Sequence, residues 1–305
     1  MVTYQKIKNN PTLFRYFTGL TVSEFEKILP TFKSFWDIFV FNTFIKGVKR
    51  QRAYGGGNTP KLQTIEDKLV FILSYFRVYP LHIITSLLFD LDIANVNRWI
   101  HRLTPILEKT LGHKLLLPAR SPAALETILQ ECPELHHYLI DGTERRIQRP
   151  KDKIRQKKYY SGKKKHHTVK NILLTNKDNQ IRFLTKTREG KLHDKKAVEE
   201  SNIHLPANSL IIGDLGFQGL TSTNIAKLLI PKKKPKGGEL TNTEKQQNKV
   251  ISSLRIKVEH AVRGVKLSRI VSDTLRSYKK RFEDQIMTIA CGLHNFRVKE
   301  RFCYT

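Results

Sequence analysis

The alternation of apolar and polar positions divides the chain into a helical N-terminal part and a strand-rich remainder. Within residues 1–50, VSEFEKILPTFKSFWDIF is amphipathic at helical spacing, and the basic, glycine-rich stretch KRQRAYGGGNTPK then breaks the pattern. Gly55, Gly56 and Gly57 read as a flexible link, because no Lys-Ser/Thr follows them in phosphate-loop spacing. Thr64 is an N-cap candidate for a helix over IEDKLVFILSYFR. A turn at VYP, a short helix around HIITSLLF and a further helix after Asp92, IANVNRWIHRL, complete the series. A short middle helix before a capped third one fits a helix-turn-helix over residues 64–104. In that arrangement Asn95, Asn97, Arg98, His101 and Arg102 face DNA, while Ile93, Val96, Trp99, Ile100 and Leu103 face the core. Three helices packed together with no DNA role satisfy the same pattern.

From residue 135 onward the period shortens to that of strands. HHYLIDGTE, TVKNILLTN and QIRFLTKTRE read as the first three, the last two joined by the tight polar turn NKDNQ. A helix beginning near Asp194 leads to the strand SLIIGD, and another short helix leads to the strand-like LLIPKKK. A long helix over ISSLRIKVEHAVRGVK follows. At about 100° per residue, Glu259 and Lys266 fall within ~40° of Arg255 on that helix, whereas Val250, Ile251, Leu254, Val258, Ala261, Val262 and Val265 fill an adjacent core-facing arc.

This ordering places three acids in informative positions. Asp141 and Asp214 each end an apolar run, Tyr138 to Ile140 and Leu210 to Ile212, of the kind expected of buried parallel strands. Active sites of open α/β sheets gather at such strand ends. Together with Glu259 they form a candidate metal-binding carboxylate triad. Carboxylates brought close repel and raise one another's pKa unless a cation sits among them, and hard oxygen ligands suit Mg²⁺. Two such ions are suited to cutting and joining phosphodiesters. Taken singly, Asp141 and Asp214 beside glycines are ordinary turn residues, and Glu259 is an ordinary solvated helix position. Asp194 reads as a helix cap rather than a fourth ligand.

Charge points to the substrate independently, with 55 Lys and Arg against 27 Asp and Glu, a net charge of +28 and a pI near 10.1. Such a balance calls for a polyanionic partner. The density is highest from Arg145 to Lys165, where Lys163, Lys164 and Lys165 form a run, and a second cluster spans Lys232 to Lys236. Tyr159 and Tyr160 lie among the first group, where stacking on a base and ordinary packing are both open. His166 and His167 adjoin lysines, which suits exposed or phosphate-facing side chains. Cys132, Cys291 and Cys303 are widely spaced, which argues against a disulfide framework or structural zinc. The N-terminus lacks the apolar core of a signal peptide, and no apolar run reaches the ~18 residues of a membrane span, so an intracellular protein is expected.

EDKLVFILSYFRVYP and VNRWIHRL, followed by IDGTERRIQRP, KKYYSGKKKHHTVKN, GKLHDKK, GDLGFQG, PKKKPKG, RIKVEHAVRGVK and ACGLHNF, resemble a DDE transposase of a bacterial insertion sequence. The resemblance is to the insertion-sequence-five family, and it covers nearly the whole chain. That family's glutamate-helix signature is Tyr, two residues, Arg, three residues, Glu, six residues, Lys; Arg255, Glu259 and Lys266 stand at that spacing, with Ser252 at the tyrosine position.

The resemblance implies an α/β fold: a ribonuclease-H-like catalytic domain with a mixed five-stranded sheet over 135–300, preceded by an all-α helix-turn-helix domain over 1–115. It implies Asp141, Asp214 and Glu259 as catalytic metal ligands, Mg²⁺ as the cofactor with Mn²⁺ able to substitute, and Arg255 and Lys266 as DNA contacts. The partners it implies are double-stranded DNA, at the element's terminal repeats and at the target, and further copies of the chain in a homo-oligomeric DNA complex. A cytoplasmic, nucleoid-associated location with no membrane contact follows. The implied reaction is cut-and-paste: water attacks a phosphodiester at the element's end, and the released 3′-hydroxyl attacks target DNA. Two alternatives stay open, a transposase-derived protein that only binds DNA and a metal-dependent nuclease of the same fold.

Overall fold

The computed structural model describes residues 1–47, 57, 59–131, 137–203, 205, 209–220 and 227–302. Gly55 and Gly56 of the glycine link, Cys132, Cys303 and most of the short helix expected before LLIPKKK lie outside the described residues. The chain forms two compact units, one of residues 1–116 with 267–270, the other of 117–266 with 271–305.

The first unit is helical: α1 (Tyr4–Ile7), α2 (Pro11–Thr18), α3 (Val22–Val40), α4 (Ile65–Val78), α5 (His82–Phe89) and α6 (Ile93–His113). Helix α4 is its axis. Leu69, Val70, Phe71, Ile72, Leu73, Tyr75 and Phe76 are all buried, an apolar surface on every side that only a central helix can satisfy. Thr64 caps it by accepting the Asp67 amide at 3.0 Å, and Asp92 caps α6 by accepting the Ala94 amide at 2.8 Å. Lys68 is buried on α4, and loss of hydration lowers its pKa. Its amine donates to the carbonyls of Leu62, Gln63 and Thr64 at 2.8, 2.8 and 3.1 Å and lies over the rings of Trp36 and Trp99.

The second unit begins with α7 (Pro122–Glu131) and is built on β1 (His137–Arg146), α8 (Lys153–Tyr159), β2 (Tyr160–Ser161), β3 (His166–Thr175), β4 (Ile181–Leu184), β5 (Arg188–Glu189), α9 (Asp194–Glu199), β6 (Leu210–Ile212) and β7 (Lys227–Leu229). The helices α10 (Asn242–Lys266) and α12 (Phe282–Phe302) follow, and α11 (Arg269–Ser272), between them in the chain, begins among residues of the first unit. The main path of the sheet runs β2-β3-β1-β6-β7, with β4 and β5 also paired to β3. Strands β1 and β3 are antiparallel over their length, whereas β1–β6 and β6–β7 are parallel. This mixed sheet with helices is a ribonuclease-H-like fold. Alternation along β1 sends Tyr138 and Ile140 into a core shared with α9, and Leu139 to the other face, against Ile251 and Val258 of α10.

Two expectations for α10 fail at its N-terminal half. Val250 is 58% exposed and Leu254 37% exposed, because those turns offer only Ile251 to the sheet, and continuous burial starts at Val258.

Helix α12 is clamped by polar groups. Arg145, placed by sequence in the basic run, is buried: it donates to the Glu283 carbonyl at 2.8 Å, to Asn171 at 2.7 Å and to Thr187 at 3.2 Å, and burial brings its pKa down to about 10. Asp284 accepts the Thr187 amide and hydroxyl and pairs with Arg120; burial alone would raise this carboxyl, but Arg120 and Thr187 outweigh it. Asn295 brackets Ile181 at the start of β4, accepting its amide at 2.8 Å and donating to its carbonyl at 2.9 Å. A Cβ at Gly264 would fall 2.3 Å from the His294 ring, so glycine sets the approach of α10 to α12. Among the described residues no helix is long and apolar enough to cross a membrane.

Two stability outcomes follow from this clamp. Asn295→Ala orphans the Ile181 amide and carbonyl and should lower unfolding stability by about 3 kcal/mol, read as a lower urea midpoint at unchanged slope. Burial pushes the His294 imidazole down to about 4 from 6.5, with Arg297 and Arg301 acting the same way against its bond to the Asn179 carbonyl. The unfolded chain therefore binds this proton below pH 6.5 and the folded chain only near pH 4. Stability should fall by about 3 kcal/mol as pH drops through that window. His294→Gln should flatten the fall, and an unflattened profile would assign the loss to other groups.

Candidate functional site

The register of two strands builds the site. Parallel pairing of β1 with β6 ends at Leu139 and Ile212, and the acids stand two residues past each, at Asp141 and Asp214. They therefore leave the parallel pair side by side, although β1 itself continues beside β3 to Arg146. The Asp214 side chain also accepts the Gly216 amide at 2.8 Å, which holds the turn after β6. Burial first, then the charge of Asp214 and to a smaller degree that of Asp194, raises the Asp141 pKa to about 6; the Gly142 amide and Arg255 pull it down.

Helix α10 supplies the cations. Arg255 is half-buried with its Nε unpaired, and it acts on Asp141. Lys266, eleven residues further along, also feels Asp141. Much of its side chain stays open to solvent, yet loss of hydration and then Lys164 hold its amine below the ordinary lysine value. Lys163, Lys164 and Lys165 are exposed on the turn between β2 and β3.

Glu259 is the acid that the structure does not bring in. It lies between Arg255 and Lys266 on α10, but the residue is exposed, and it is not among the charges that move Asp141. Among the described residues no three His, Cys, Asp or Glu side chains converge closely enough to hold a metal. The aspartate pair alone fits a hard cation: two carboxylates, one of them half-buried and resisting ionisation beside the other.

Asp194 is not the cap that the sequence suggests. His193 occupies the N-cap of α9, and Asp194 follows as its first residue. The Asp194 carboxylate instead pairs at 2.9 Å with the buried amine of Lys170, which also lies 3.6 Å from Glu144. Sequence reasoning missed this group; the available signal was the glycine close after each candidate ligand, Gly142 and Gly216.

On α6 of the first unit, Asn97 and Arg98 are exposed and Asn95 half-buried, with Arg98 donating to Asn95 at 3.0 Å. Val96, Ile100 and Leu103 are buried and Trp99 half-buried. Ile93, expected in the core, is 46% exposed because it opens the helix ahead of the first buried turn at Val96. Arg102 differs from expectation too. Its guanidinium lies 5.0, 5.4 and 6.0 Å from the ring centroids of Trp99, Phe44 and Phe39, so it packs within its own unit.

The profile of the family described as DDE superfamily endonuclease matches residues 140–295, and that described as helix-turn-helix of DDE superfamily endonuclease matches residues 60–113. A protein of Microchaete diplosiphon named as a probable transposase for insertion sequence element IS702 is 32% identical over 262 residues, which is 85% of this chain and 90% of that protein. No solved structure matches the chain.

The unequal surroundings of Arg98 and Arg102 separate their substitutions. Arg102→Ala should lower thermal stability by about 1–2 kcal/mol through loss of the aromatic contacts, whereas Arg98→Ala should leave it within about 0.5 kcal/mol. Equal melting temperatures for the two variants would contradict a structural role for Arg102.

Proposed function

The chain belongs to the DDE superfamily endonucleases that include insertion-sequence transposases, and we propose that it binds the terminal repeats of its own element and carries out Mg²⁺-dependent strand cleavage and strand transfer. The observation that carries this reading is that Asp141 and Asp214 each stand two residues beyond the β1–β6 pairing, with Arg255 acting on the half-buried Asp141 carboxyl and Asp141 acting in turn on the Lys266 amine. Asp141 and Asp214 would hold the divalent cation. Glu259, on the same helix between the two basic residues, is the acid assigned to join them. When bound, such a cation neutralises the phosphodiester and activates the attacking oxygen.

The chain's own residues do the rest. Arg255 presents a planar two-point donor suited to a phosphate, and Lys266 a point charge further along α10. Neither is a proton carrier. Lys163, Lys164 and Lys165 grip the backbone without reading sequence, while Asn95, Asn97 and Arg98 read base edges from α6. Residues 1–115 accordingly act as the DNA-binding domain and 135–300 as the catalytic domain. The DNA complex is assigned to a homo-oligomer acting in the cytoplasm, where the element resides.

Cleavage of a duplex carrying the element's end, in Mg²⁺, tests the carboxylates. Asp141→Ala, Asp214→Ala and Glu259→Ala should each reduce single-turnover cleavage by on the order of 10³-fold with DNA affinity nearly unchanged. A variant that cleaves normally would remove its residue from the ligand set. In a parallel binding series, replacing Lys163, Lys164 and Lys165 together by alanine should flatten the slope of log affinity against log salt by up to about 2.7. Arg98→Ala should instead reduce preference for the element's end over random duplex by about 1–3 kcal/mol, and equal losses on both would sink its role as a base reader.

A further inference from the structure

One carboxylate reaches both glycines that follow the candidate ligands. A Cβ at Gly142 would stand 2.8 Å from Asp194 Oδ1, and a Cβ at Gly216 would stand 3.2 Å from Asp194 Oδ2 and 2.9 Å from Asp214 Oδ1. Neither glycine has a positive φ, so close approach to a carboxylate rather than backbone conformation is what a side chain there would meet. Asp194 thus reaches both turns, the one after Asp141 and the one after Asp214. Strand alternation puts Gly142 on the face of β1 shared with α9, opposite the face that carries Asp141. Asp194 therefore enters from the side opposite Arg255 and Lys266.

Its position is held by a buried cation. The Lys170 amine donates to the Leu192 carbonyl at 2.7 Å and pairs with Asp194 at 2.9 Å, with Glu144 at 3.6 Å. Lys170 faces Glu144 across the β1–β3 ladder, and Glu144 in turn accepts the Thr168 hydroxyl at 2.8 Å. One lysine balancing two carboxylates leaves the group with a net negative charge next to the aspartate pair. An acid in the first turn of α9 needs none of this to be stable, and a partner for Lys170 is already present in Glu144.

We propose that Asp194, held by Lys170, is a positioning residue of the Asp141–Asp214 pair: it sets the spacing of their two turns and strengthens their hold on a divalent cation. The inference rests on the aspartate pair being the cation site. It gives the carboxylate a role through the two ligands and requires no direct contact with the substrate.

The test reads Mn²⁺ affinity of the full chain without DNA, from the electron paramagnetic resonance signal of free Mn²⁺. Asp194→Asn keeps the shape and removes the charge, and should weaken binding about 10–100-fold. Gly142→Ala keeps every charge and displaces the carboxylate, and should weaken binding in the same direction. Metal-free thermal unfolding reports whether each variant folds. Should Asp194→Asn unfold, the Asp194→Asn, Lys170→Met double variant, which removes both members of the ion pair, carries the same expectation. Wild-type Mn²⁺ affinity in the folded Asp194 and Gly142 variants, with affinity lost in Asp141→Asn and Asp214→Asn, would overturn the proposal and leave the cation site standing. Unchanged affinity in Asp141→Asn and Asp214→Asn would overturn the site itself, and this inference with it.

Discussion

Holding two like charges side by side in a half-buried place is the constraint on which the second unit is organised. The parallel register of β1 and β6 imposes it, since any acid two residues beyond Leu139 must neighbour the one two residues beyond Ile212. Burial and the facing charge make ionisation of Asp141 unfavourable, and its pKa of about 6 is the measure of that cost. The compensating groups are Arg255 on α10, distant in sequence, and the Gly142 amide next to Asp141 on β1 itself. Packing of α10 on the sheet therefore has an electrostatic consequence. A slip of the helix by one residue would rotate its basic stripe by about 100° away from the aspartates.

The clamp on α12 serves the same placement. Arg145 ties β1 to the start of α12, Asp284 ties α12 to Thr187, and Asn295 ties its later turns to β4. Gly264 lets α10 lie against His294 without a side chain between them. Because α10 rests on both the sheet and α12, the buried polar bonds of α12 bear on where Arg255 and Lys266 stand. Such bonds are directional, and each leaves orphaned groups if the helix shifts, so they specify one arrangement where apolar contact alone would tolerate several.

What the sequence disclosed were the features carried by period and by spacing. The caps at Thr64 and Asp92, the strand of β1 and the run before Asp214 follow local rules, and the structure has each of them, while α10 begins at Asn242, ahead of the patterned stretch from Ile251. The order β1, β3, β4, α9, β6, β7, α10 was legible for the same reason, whereas α7, α8 and β2 were not, and the expected third strand QIRFLTKTRE is divided into β4 and β5. Side-chain environment was not legible. Arg145 and Arg102 look like any other cation in a basic chain, and only tertiary contacts reveal one as a buried clamp and the other as an aromatic-packed prop. Asp194 at a helix start has the signature of a cap, and its pairing depends on Lys170, 24 residues earlier on strand β3. Glu259 shows the limit of a rotation argument, which gives the face of a helix and not the direction of its side chain.

These displaced basic residues change what the net charge means. Of the 55 Lys and Arg, Lys68, Arg145 and Lys170 are buried with partners of their own, and Arg102 is committed to rings. Cations buried with partners, such as Lys68, Arg145 and Lys170, are not placed to meet phosphates, on which counterion release depends. They act on the fold, since a buried cation is tolerated only where carbonyls, carboxylates or aromatic faces surround it, and each such set is available in one packing alone. The basic composition thus divides in two. Exposed lysines such as Lys163 to Lys165 stand open to solvent and to a polyanionic partner. The buried cations cannot be exchanged, because each fixes the position of a particular neighbour, and for Lys170 that neighbour is the carboxylate lying between the two aspartate turns.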